Sequence, residues 1–123
     1  MLKLIQVPNN GVPTHLPLLN PDDQFEPGQV YVKDGKSKGI IDDVKNDEDD
    51  STAGTGKIVV WNCRTLIETD QFTECDGPLN SDLYVAKDGR LTCNPKLGIK
   101  CPAILTGKYP TRGTIEFLWL GSE

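Results

Sequence analysis

The chain has 123 residues, 37% of them apolar, with 12 glycines, 9 prolines, a formal charge of −5 and a pI near 4.8. That length suits one domain with a thin core, and the turn-rich composition favours short strands over long helices. Scattered lysines and arginines in an acidic chain argue against nucleic-acid binding, which needs clustered positive charge, and no run approaches the roughly 20 apolar residues that span a bilayer.

The first residues, Met1 to Pro8, are too short and interrupted for a signal peptide, so the chain is expected to be made in the cytosol and to be soluble. Residues 1–28 read as an extended arm, because Pro8, Pro13, Pro17, Pro21 and Pro27 remove backbone donors and fix φ. The arm is too apolar for a linker. Leu2, Leu4, Ile5, Val7, Val12, Leu16, Leu18 and Leu19 must bury against something, either the chain's own β domain or a neighbouring subunit, and they are the candidate partner-binding residues.

Residues 29–123 read as a single β domain. Gln29 to Lys33 is rich in β-branched and aromatic residues and runs into Asp34-Gly35, which suits a two-residue type I′ hairpin turn. The pattern returns at Asp82 to Thr92 around Asp88-Gly89 and is read as a second, independent hairpin, with an internal duplication as the alternative. Between them an acidic loop near 42–56 carries Asp42, Asp43, Asp47, Glu48, Asp49 and Asp50. A calcium loop fails there, since Thr52 stands at the place of the required glycine and Ile58 at that of the closing glutamate. Lys57 to Ile67 is the strongest β segment, and Ala103 to Tyr109 and Thr114 to Leu120 follow, with Ile115, Phe117 and Trp119 sharing one face by the two-residue period. No segment has a sustained helical period. The fold class is therefore all-β, a small barrel or sandwich with an N-terminal arm.

Chemistry-bearing groups are sparse. Cys63, Cys75, Cys93 and Cys101 lack a C-x-x-C pair for zinc and are read as reduced thiols, with disulfides as the alternative. His15, the one histidine, sits in the arm, and no nucleophile elbow or phosphate loop is present. The acidic side chains concentrate in the loop, where solvation keeps their pKa ordinary. These observations predict a protein without catalytic residues, cofactor or metal.

The succession of an apolar arm, GQVYVKDGKSKGI, a strong strand, LYVAKDGRLT and CPAILTGKYPTRGTIEFLWL resembles the small β-barrel decoration, or cement, proteins of tailed-phage capsids. The resemblance covers about residues 28–120. It implies a β-tulip-like fold and a structural role on the capsid exterior of a virion, made in the host bacterial cytoplasm. The implied partner is the major capsid protein, with a homo-oligomer, a trimer by preference, clamping adjoining capsomers. On that reading, deleting residues 1–20 is expected to abolish attachment and leave the β domain folded. The alternative is a carbohydrate- or receptor-binding β-sandwich of a virion or cell surface, with Trp61, Trp119, Tyr31 or Tyr84 as an exposed stacking platform.

Overall fold

Alternating apolar and polar residues, short runs and frequent turn residues produce strands throughout the described part of the chain. The computed structural model describes residues 1–9, 11–17, 26–42 and 57–121. These form β1 (Leu2–Gln6), β2 (Thr14–Pro17), β3 (Val30–Lys33), β4 (Lys36–Ile41), β5 (Lys57–Trp61), β6 (Thr65–Thr69), β7 (Asp82–Ala86), β8 (Leu91–Thr92), β9 (Gly98–Tyr109) and β10 (Thr114–Trp119). One sheet has the order β1-β6-β10-β9-β7-β8 and the other β2-β5-β4-β3. The fold is all-β, as the sequence predicts. The acidic segment 43–56, with all of the failed calcium loop that precedes β5, lies outside the described residues, as do Leu18 and Leu19.

The core forms where the two sheets face each other. Val30, Ile40 and Trp61 of the smaller sheet pack with Ile67, Leu83, Val85, Leu105, Ile115, Phe117 and Trp119 of the larger one. Ile115, Phe117 and Trp119 are all buried, as their period requires, while Glu116 and Leu118 point to the other face and are half-buried. A fully buried aliphatic or aromatic side chain contributes about 1.5–3 kcal/mol, so this layer supplies most of the apolar driving force.

Three features differ from the sequence reading. The run from Lys57 to Ile67 is two strands in two sheets: β5 pairs with β2 and β4, and β6 pairs with β1 and β10. The corner at Asn62-Cys63-Arg64 is held by Thr65 Oγ1 donating to the Cys63 carbonyl at 2.8 Å and by Trp119 Nε1 donating to Asn62 Oδ1 at 2.9 Å.

The N-terminal segment is not a free arm where it is described. β1 pairs antiparallel with β6, from Leu2 opposite Thr69 to Gln6 opposite Leu66, and Leu2 is buried. β2 pairs with β5, from Thr14 opposite Val60 to Pro17 opposite Lys57. Both are edge strands, and edges tolerate proline because one row of amides needs no partner.

The two Asp-Gly turns also differ. Asp34 (φ 55°) and Gly35 (φ 75°) are both left-handed, as type I′ requires. At the second turn only Gly89 has positive φ (88°), and the Gly89 amide donates to the Ala86 carbonyl at 3.0 Å while that of Ala86 donates to Arg90 at 2.8 Å. That is a type I turn followed by a glycine bulge, a three-residue loop. Identical dipeptides close hairpins of different length.

Candidate binding groove

The two hairpins meet at one end of the molecule. The Val30 amide donates to the Gly89 carbonyl at 2.9 Å, so β3, the outer strand of its sheet, is tied to the β7–β8 turn. Beside this bond lies a groove of about 660 Å³. Its apolar lining includes Val30, Val32, Val85, Leu97 and Ile99, with Lys87 and Lys96 among its polar residues. The far wall comes from the loop before β9, where Asn94 Oδ1 accepts the Lys96 amide at 3.0 Å and the Asn94 carbonyl accepts that of Leu97 at 3.0 Å. Gly98 lets β9 pass against β7 here, because a β-carbon at that position would collide with the Val85 carbonyl.

Val30 and Val85 belong to the core, but Val32 and Ile99 remain 37% and 41% exposed. A second depression shares Gly35 and Ile99 with the groove and is lined by Lys36, Lys38, Lys100 and Pro102. Two exposed aliphatic side chains in one concave site mark a contact surface more readily than isolated ones do.

Of the candidate residues of the N-terminal segment, Leu2 is buried, Leu4 and Val7 are partly buried against the core, and Ile5 (42%) and Val12 (68%) are exposed. Val7 also lines a shallow depression with Arg64, Leu66 and Leu118. Leu16 lies on β2. These residues therefore do not form one surface: Leu2 and Leu4 serve the domain's own core.

The outer face of the larger sheet carries a polar network absent from the sequence reading. Glu68 and Glu116 stand directly opposite each other on β6 and β10. Thr114 Oγ1 donates to Glu68 Oε2, and Arg112 donates to Glu68 Oε1 at 3.2 Å. Tyr109 and Thr106 hydroxyls donate to the two oxygens of Glu116 at 2.9 and 2.8 Å. The Arg112 guanidinium lies 4.1 Å from the centre of the Tyr109 ring. The Thr114 hydroxyl, the charge of Arg112 and that of Lys3 outweigh burial and hold the Glu68 carboxyl below its ordinary range, while the bond to Glu116 pushes the Tyr109 phenol up. With every carboxylate oxygen engaged, this network clamps β6, β9 and β10 rather than offering a poised acid and base. Its signal in the sequence is a glutamate at an outward position of each of two apolar strands.

All four cysteines are free thiols. Burial pushes Cys75, with Cys93 beside it, and Cys101 up to about 12, so both stay protonated and weakly nucleophilic at neutral pH. Among the described residues no group of three or more His, Cys, Asp or Glu side chains is placed to hold a metal ion, and no helix is long and apolar enough to cross a membrane. Comparison with protein-family models, curated proteins and solved structures finds no match.

Proposed function

We propose that this chain is a capsid decoration protein, which binds the outer surface of a tailed-phage shell through the major capsid protein and stabilises it without catalysis. The observation that supports this most is the groove between the hairpins, where Val32 and Ile99 leave apolar area uncovered. Burial of such area is worth about 25 cal/mol per Å², and a shell repeats the contact at many equivalent sites, so modest individual affinities sum to a firm coat. The all-β architecture and the sequence resemblance point the same way. A homo-oligomer, with a trimer preferred, fits the resemblance and a thin-cored domain that gains from further burial.

The glycan- or receptor-binding alternative loses its platform. Trp61, Trp119 and Tyr31 are 9%, 0% and 4% exposed, which leaves half-buried Tyr84 alone of the four aromatics. Mass spectrometry of purified virions produced by the source of this gene tests the proposal. A fixed, high copy number per particle is expected, and absence from virions would overturn it.

A further inference from the structure

The end of the molecule built by the two hairpins reverses the charge of the whole. Lys87 and Lys96 line the groove, and Lys36, Lys38 and Lys100 line the depression that joins it at Gly35 and Ile99. Among the described residues the acids nearby are Asp34 at the first turn, Asp88, which lies 3.7 Å from Arg90, Asp82, which lies 3.6 Å from Lys100, and Glu74, which accepts from Asn94 of the far-wall loop at 3.3 Å. Among the described residues five lysines and one arginine thus stand beside four acids, in a chain whose net charge is −5. Between the lysines the surface is apolar, at Val32, Leu97 and Ile99.

We infer that this groove binds an extended, acidic segment of a protein partner, its apolar side chains seated on Val32 and Ile99 and its carboxylates on the surrounding lysines. This rests on the binding role proposed above and names the partner's chemistry. The charge fits a polyanion of either kind, but the lining residues of the groove include no aromatic ring on which a base would stack, and an apolar floor rewards aliphatic side chains. β3 is the outer strand of its sheet, an edge of the kind along which an extended chain can lie, although its Val30 amide is already given to the Gly89 carbonyl.

The test uses the full-length protein, isotope-labelled, titrated with a blocked hexapeptide of alternating glutamate and valine. The controls are its lysine–valine counterpart and an oligothymidylate. Amide shifts should move at Val32, Lys87, Lys96 and Ile99 with the acidic peptide and with neither control. The exposed double reversal Lys87→Glu/Lys96→Glu should weaken the effect roughly tenfold, and raised salt should weaken it further. Shifts elsewhere, equal shifts with the basic peptide, preference for the oligonucleotide, or an unaffected variant would each overturn the inference. Sedimentation with shells made without this protein separates the two proposals. If wild type binds shells and the double variant binds equally, the groove assignment fails and decoration stands; if the acidic peptide binds the groove but shells do not bind the protein, decoration fails alone.

Discussion

Replacing Thr114 by valine removes one hydroxyl at nearly constant volume and so isolates the bond that holds the Glu68 carboxylate. Glu68 is 3% exposed, and without that donor its one remaining side-chain hydrogen bond is from Arg112, itself mostly in solvent, with the charge of Lys3 beside it. A hydrogen bond to a charged group contributes about 1.5–3 kcal/mol, so Thr114→Val should destabilise by about that much at pH 7. For a domain of this size the melting temperature falls by about 6–12 °C. The pH dependence follows from the direction of the shift. Glu68 titrates below its ordinary value in the folded state, so its contribution is present above the unfolded pKa of about 4.3 and is lost as pH falls through the lower folded value. Denaturant unfolding of wild type and Thr114→Val, repeated from pH 7 to pH 2, should therefore show a gap that closes at the acid end. In a Glu68→Gln background the valine substitution should cost well under half as much. A difference within about 0.5 kcal/mol at pH 7, or a gap that persists at pH 2, would refute the account of this network.

Deleting residues 1–7 should destabilise the domain, because β6 loses one of its two partner strands and the core loses Leu2; unchanged denaturant unfolding of the truncated protein would contradict the pairing. This replaces the expectation that the domain survives deletion of residues 1–20. Trp119→Phe should cost about 3 kcal/mol or less, since it opens space in the core and removes the bond to Asn62; an unaltered melting curve would show that the corner does not depend on it. With a thiol reagent at pH 8, half-buried Cys63 and Cys93 should react ahead of Cys75 and Cys101, and denaturation without reductant should expose four thiols; fewer would mean a bridge. Tryptophan emission should be blue-shifted and indifferent to glycans, and a red-shifted, glycan-sensitive spectrum would revive the alternative reading.

The legible parts of the fold are those set by local stereochemistry. Asp34-Gly35 has the turn its dipeptide favours, and the period of Ile115, Phe117 and Trp119 fixes which face of β10 is buried. The corner between β5 and β6 is hidden because Asn62-Cys63-Arg64 contains neither glycine nor proline; Trp119, more than fifty residues away, closes it. Prolines of the N-terminal segment misled for a related reason. Pro17 ends an edge strand, where the missing amide needs no partner. The groove could not be read from any local pattern, since Val32, Lys87 and Ile99 come from three separate strands and turns brought together by the bond between Val30 and Gly89.

The role proposed for this protein is to coat and strengthen a shell. Purified protein added to shells made without it should cosediment to saturation at a fixed ratio to the major capsid protein and raise the temperature at which the shells release their contents. Protein that stays in the supernatant at saturating concentration, with release temperature unchanged, would contradict the account.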